Sequence, residues 1–225
     1  MKRDMPFAGI TSLVFDFDGT LATCPYDFAQ MRRCILATAE EYGLTRAALD
    51  GFGLLESIAE GATLLRDDPA RAEAFRGIAL ERLTAIEYEA AAQTRLLPGI
   101  VDALHGLRAR GYRMGIVTRN STVAVRRILG DVALPMEVLL CREDVEHPKP
   151  HVDHVHRALR VLEAPPARAV MVGDHPTDIQ MGRDAGMATV AVLTGQTGED
   201  ALRAAEPDLL LPSALELEDW LVASH

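Results

Sequence analysis

Leu13-Val14-Phe15-Asp16-Phe17-Asp18-Gly19-Thr20-Leu21 decides how the rest of the chain reads. An apolar run meets two carboxylates two residues apart, and a Gly-Thr turn follows. An apolar run closed by a turn predicts a buried strand. Side chains two apart on a strand point the same way. The strand therefore delivers Asp16 and Asp18 together at its carboxyl end, where open α/β sheets bind ligands. Two like charges so close would repel and raise one pKa. A bound cation explains such a pair, and so does a carboxyl that stays protonated to act as an acid.

Outward from this stretch, helix and strand alternate from position 99 onward. The pattern predicts a helix over 101–110 stopped by Gly111, a strand over 112–117, and a helix to 129 with Ser121 as N-cap and Gly130 as its stop. Strand 136–140, helix 151–162, strand 169–172, helix 177–186 and strand 188–193 follow, then a short strand at 208–211 and a C-terminal helix. Repeated strand-helix units predict an α/β fold with a parallel sheet and right-handed crossovers. The opening strand, 10–15, joins that sheet. Residues 22–97 break the rhythm. They read as helices over 28–42, 47–60 and 70–92, with a break inside the last, and are rich in the helix formers Ala, Leu, Glu and Arg. Pro98-Gly99 marks the return to the alternating pattern.

The chain has 225 residues, enough for a large domain or for a core carrying an inserted smaller one. A net charge of -10 argues against nucleic acid, whose binding rests on clustered Lys and Arg. It argues equally against an anionic membrane surface. A small phosphorylated metabolite remains compatible, because its binding depends on local charge. Cys24, Cys34 and Cys141 are scattered and odd in number, which predicts a reducing, cytoplasmic setting without a disulfide framework. The opening Met1-Lys2-Arg3-Asp4-Met5-Pro6 lacks the apolar core of a signal peptide, and no apolar run is long enough to span a bilayer.

Asp16-x-Asp18-Gly19-Thr20 resembles the nucleophile motif of the haloacid dehalogenase superfamily. Val117-Thr118-Arg119-Asn120, Lys149-Pro150 and Val172-Gly173-Asp174-His175-Pro176-Thr177-Asp178 extend the resemblance in the order and rough spacing that the superfamily uses. The resemblance spans most of the chain. It implies a Rossmann-like core of residues 1–21 and 98–225, and it makes the insertion 22–97 similar to the family's small helical cap. It also implies a Mg²⁺-dependent phosphatase, phosphoglycolate phosphatase-like, that hydrolyses a small phosphate monoester through an aspartyl-phosphate.

In that reading Asp16 is the nucleophile, splitting one hard step into two. Asp18 is the general acid and base. Relatives that cleave carbon–halogen bonds lack a carboxylate there, so Asp18 favours phosphate-ester chemistry. Thr118, Arg119 and Asn120 would bind phosphate. Arg119 adds a charged fork, against the rival reading that it points to solvent. Lys149 would neutralise the phosphoryl group and hold Asp16. Asp16, Asp18, Asp174 and Asp178 would hold Mg²⁺, an oxygen-seeking hard cation. Asp178 has two further readings, as an anchor for Lys149 and as a favourable charge at a helix N-terminus.

The resemblance also implies a rival enzyme, a sugar phosphomutase of β-phosphoglucomutase type, using the same residues. A non-catalytic phosphate-binding module is a third reading, opposed by the intact acid-base carboxylate. The histidines His147, His151, His154 and His156 invite a zinc reading, but a solvated histidine-rich helix accounts for them more simply. Cys141 reads as a buried filler, and Arg142 as a brace for the loop of Lys149. Ala22-Thr23-Cys24 replaces the polar pair that many relatives carry after the first motif. Substrate preference is therefore not transferable from any one relative. Arg32, Arg33 and Arg66 are candidates to bind a substrate carboxylate, and Asp50-Gly51-Phe52-Gly53 reads as the most flexible run of the insertion.

Overall fold

The computed structural model describes residues 7–223. The first six residues, on which the signal-peptide argument rested, lie outside the described residues. Two compact units result. One runs up to Cys24 and resumes at Thr94; the other is Pro25–Gln93.

The first unit is a six-stranded, wholly parallel sheet in the order β3-β2-β1-β4-β5-β6. Its strands are β1 (Ser12–Phe15), β2 (Arg113–Val117), β3 (Val138–Leu140), β4 (Ala169–Gly173), β5 (Ala188–Val192) and β6 (Leu209–Leu211). This is the doubly wound Rossmann-type order, and its switch point falls beside β1. Leu13, Val14 and Phe15 are all fully buried, because both faces of the strand are covered. Leu13 and Phe15 pack with Ile100, Leu104, Leu217 and Leu221 on one face. Val14 packs with Val155, Leu159 and Met181 on the other. Each such fully buried side chain contributes about 1.5–3 kcal/mol relative to exposure.

Helices of the first unit cover the two faces of its sheet. The second unit consists of α1 (Phe28–Glu41), α2 (Leu54–Leu64) and α3 (Pro69–Ala90) with their links. The first unit supplies α4 (Ile100–Ala109), α5 (Thr122–Leu129), α6 (Val152–Val161), α7 (Pro176–Asp184), α8 (Glu199–Ala204) and α9 (Leu217–Ala223). No described helix is long and apolar enough to cross a membrane.

Several expected elements differ. The helix expected over 47–60 is a 3-10 turn at Arg46–Leu49, an extended link, and then α2. Gly51 has φ +80 and stops the first turn from continuing. The break expected inside 70–92 is absent: α3 runs unbroken for 22 residues. Asp68 caps it by accepting from Arg71 N at 3.1 Å, and Pro69 sits at its first turn. Helix α8 was not anticipated. It is only six residues long, too short to show a period.

The segments that join the units belong to the first one. Leu97 N donates to Leu21 O at 2.9 Å, and Thr23 N to Arg95 O at 2.8 Å. This pairing of backbone on both sides moves the division from the expected 21/22 and 97/98 to 24/25 and 93/94. Within Pro25–Gln93, α3 packs against both α1 and α2.

Candidate active site

The carboxyl ends of β1 to β5 supply the site. Asp16 follows β1, and its N–H still donates to Val172 O on β4 at 2.8 Å, so the sheet fixes its backbone. Its carboxylate accepts from Lys149 Nζ. Lys149 Nζ also donates to Asp178 Oδ1 at 2.9 Å. Asp16, Asp174 and Asp178 each offer a carboxylate oxygen, and these lie within 4.8 Å of one another. All three residues and Lys149 are buried. Thr20 Oγ1 donates to Asp16 Oδ2 at 3.5 Å and to Asp174 Oδ1 at 3.4 Å, bridging two of the three.

Asp18 is placed differently. The strand ends at Phe15, so the alternation that would align Asp16 and Asp18 stops between them. Asp18 accepts from Thr118 Oγ1 at 3.4 Å and from Asn120 Nδ2 at 3.1 Å. Its carboxylate is not in the cluster of three. Like-charge repulsion acts within the buried cluster. Burial, then the charges of Asp16 and Asp178, push the Asp174 carboxyl up to about 9. Burial raises Asp178 as well, against the opposing pull of Lys149. Burial draws the Lys149 ammonium down, but Asp16 and Asp178 outweigh it, and the net shift is upward. Three buried carboxylates share one ammonium. That excess of negative charge, with oxygen as the only donor type, fits a hard divalent cation.

Thr118, Arg119 and Asn120 leave β2 at the same edge. Thr118 N donates to Leu140 O at 2.9 Å, and Asn120 N to Thr118 Oγ1 at 3.0 Å. Arg119 is half-buried. Its carbonyl accepts from the Arg142 guanidinium at 3.2 Å. Arg142 is thus a buried brace for the Thr118–Asn120 turn, where the sequence had suggested the Lys149 loop. Lys149 precedes a cis proline, Pro150. Asp178 takes two of its expected roles at once. Besides Lys149, it accepts from His175 N at 3.2 Å, closing a capping box at the start of α7. His175, which had no role in the sequence, accepts from Thr177 N at 3.2 Å and caps that helix.

Sequence reasoning missed three contributors: Gly195, Thr194 and His154. Gly195, in the loop after β5, comes so close to Asp174 that a Cβ there would overlap its carboxylate. Gly19, with φ +83, approaches the same carboxylate; a Cβ there would sit 2.5 Å from Asp174 Oδ2 and 2.9 Å from Gly195 Cα. Thr194 Oγ1 ties the two loops by donating to Gly19 O at 2.6 Å. These contacts join positions far apart in the chain, so no local pattern announces them. The third is His154. It is fully buried, contrary to the solvated helix expected for it. Its signal was present: His154, Val155, Ala158 and Leu159 form the buried stripe of α6 at helical spacing. Burial, then the Lys149 charge, hold its imidazole down to about 4. Cys141 is buried as expected, and burial pushes its thiol up to about 12, far from a thiolate nucleophile.

A doubly wound parallel sheet with carboxylates, a lysine and a Thr-x-Asn turn at its carboxyl edge defines a Rossmann-like α/β hydrolase. The sequence profile described as Haloacid dehalogenase-like hydrolase matches residues 13–192, and the chain belongs to that family. Pyrophosphatase PpaX of Bacillus thuringiensis (strain Al Hakam) is 36% identical over 120 residues, covering 52% of this chain and 56% of that protein. The match thus spans about half the length of each. A hydrolase from Pseudomonas syringae superposes with a TM-score of 0.71 at 21% identity, over 95% of this chain and 98% of that one, a likeness of fold. CbbY from Rhodobacter sphaeroides, solved in complex with phosphate, is 26% identical with a TM-score of 0.60, over 92% of this chain and 96% of that one.

Proposed function

We propose that the chain is a Mg²⁺-dependent phosphatase that hydrolyses a small phosphate monoester through an aspartyl-phosphate on Asp16. The observation that carries this reading is the split between its two leading carboxylates. Asp16 is held by Lys149 within the acidic cluster, while Asp18 is held by Thr118 and Asn120. One carboxylate thus sits against an ammonium that orients it for attack, the arrangement a nucleophile needs. The other keeps neutral hydrogen-bond donors and is suited to exchange a proton. The family membership and the phosphate complex of CbbY support a phosphate ligand.

Asp16 attacks phosphorus and the ester oxygen departs with a proton from Asp18. Asp18 then takes a proton from the water that releases phosphate and restores Asp16. Lys149 holds Asp16 in place, and Asp178 holds Lys149. Thr118, Asn120 and Arg119 are assigned to the phosphoryl oxygens. Asp16, Asp174 and Asp178 would hold Mg²⁺, which when bound offsets the negative charge of the phosphoryl group. The segment 25–93 is assigned to substrate selection, as the family's helical cap. A cytoplasmic setting belongs to the same reading, supported by cysteines that lie outside any disulfide.

The test is phosphate release from a panel of phosphorylated metabolites, with pyrophosphate included because of the PpaX likeness. The reading expects Mg²⁺-dependent release from at least one small monoester, lost in EDTA. Interconversion of sugar phosphates without phosphate release would replace it with the mutase. Inertness across the panel would replace it with a binding module.

A further inference from the structure

His154 takes no part in the chemistry just described, yet both of its ring nitrogens are engaged in the buried interior. Nδ1 faces the backbone N–H of Lys149 at 3.1 Å. Nε2 faces the carbonyl of Leu140 at 3.2 Å. A backbone N–H can only donate and a carbonyl can only accept. The two partners therefore fix the tautomer: Nδ1 is bare and Nε2 carries the hydrogen. The Leu140 carbonyl is shared, since it also accepts from Thr118 N at 2.9 Å. Lys149 lies between Pro148 and Pro150, neither of which has an N–H. Its own N–H is the one backbone donor of that tripeptide, and His154 receives it.

We propose that His154 is a positioning residue for the reaction: it fixes the backbone of Lys149 and, through the Leu140 carbonyl, ties it to the turn that carries Thr118. The proposal rests on the catalytic role given to Lys149 above. The ammonium of Lys149 reaches Asp16 and Asp178 from a loop after β3, whereas Thr118 leaves β2. His154 on α6 links the two loops by hydrogen bonds at both ring positions. A neutral ring is required, because a hydrogen on Nδ1 would confront the N–H of Lys149. Burial and the nearby Lys149 charge keep it neutral.

The experiment has two arms on the full chain. In the first, ¹⁵N NMR of the histidine rings, assigned by the signal lost in His154→Asn, reads the tautomer in wild-type protein. The expected result is a neutral Nε2–H ring that does not titrate between pH 5.5 and 8. A ring that titrates there, or one carrying its hydrogen on Nδ1, overturns the proposal whatever the catalytic role of Lys149. The second arm is kinetic, on p-nitrophenyl phosphate. Asparagine places its Oδ1 where Nδ1 stood and keeps the Lys149 contact; leucine removes both contacts. His154→Leu should lower kcat by about 10–100-fold, the usual cost of losing an outer partner of a functional group, with KM little changed. His154→Asn should recover most of that loss. Wild-type kcat in the leucine variant, or equal losses in both, overturns positioning. A Lys149→Ala variant with wild-type turnover would refute the role of Lys149 and is thereby distinguishable. If His154→Leu does not fold, the ring measurement still decides.

Discussion

At the scale of single residues, Asp18 should behave as an acid toward the leaving group. Asp18→Asn is expected to slow phosphorylation of the enzyme by an alkyl phosphate by roughly 10²–10⁴-fold. p-Nitrophenyl phosphate, whose leaving group needs no proton, should lose far less. Single-turnover rates for the two esters check this, and equal penalties would remove Asp18 from the acid role. Asp174 makes a second prediction, in EDTA. Its folded pKa of about 9 lies above the ordinary unfolded value of about 3.9. Between these pH values the folded state holds a proton that the unfolded state has released. Its contribution to stability therefore falls as pH rises through that window. Thermal unfolding of wild type should weaken from pH 5 to pH 9 relative to Asp174→Asn, and Mg²⁺ should stabilise wild type more at the higher pH. A constant difference between the two proteins would contradict the raised pKa. The residues behind these predictions were legible because each stands beside a strand end in a local motif. Gly195 was not, because its partner lies in another loop; for His154 the stripe of α6 signals burial but does not name the backbone groups of Lys149 and Leu140 that it meets.

At the scale of elements, the link between the first two helices of the Pro25–Gln93 unit is the clearest case. Sequence reading made Arg32 a candidate for a substrate carboxylate and Asp50–Gly53 a flexible run. Arg32 instead donates to Phe52 O at 2.7 Å and to Leu49 O at 3.2 Å, with Asp50 at 3.6 Å. The arginine holds that link in shape. Arg32→Met should therefore destabilise the protein by about 1 kcal/mol, the value of an ordinary hydrogen bond and less than that of a buried charged one, because the side chain is partly exposed. Losses in kcat/KM should be equal for the best natural ester and for p-nitrophenyl phosphate. Urea unfolding and the two kinetic ratios check this; a specificity change at unchanged stability would return Arg32 to substrate recognition. Propensity gave this unit's helical character correctly but not its breaks. Gly51 stops a helix through its φ of +80, whereas Gly77 leaves α3 unbroken, and composition alone ranks the two alike.

At the scale of the whole molecule, the alternation of apolar runs and amphipathic stretches already dictated a parallel sheet. Right-handed crossovers and covered faces left few other arrangements. The strand order and the switch point beside β1 were not in the sequence pattern, because lateral order depends on which helices pack on which face. What the sheet then achieves is convergence. Five strand ends bring residues from positions 16 to 195 to one edge, with Asp16 in the middle of it. The central claim is that Asp16 carries the phosphoryl group during turnover. Rapid quenching of the enzyme with its best ester and Mg²⁺, followed by borohydride reduction and peptide mass spectrometry, tests this most directly. The account predicts reduction of an acyl phosphate at position 16, giving homoserine there, and none in Asp16→Asn, which should also be inactive. Steady turnover with no reducible acyl phosphate, or with one on another residue, would contradict it.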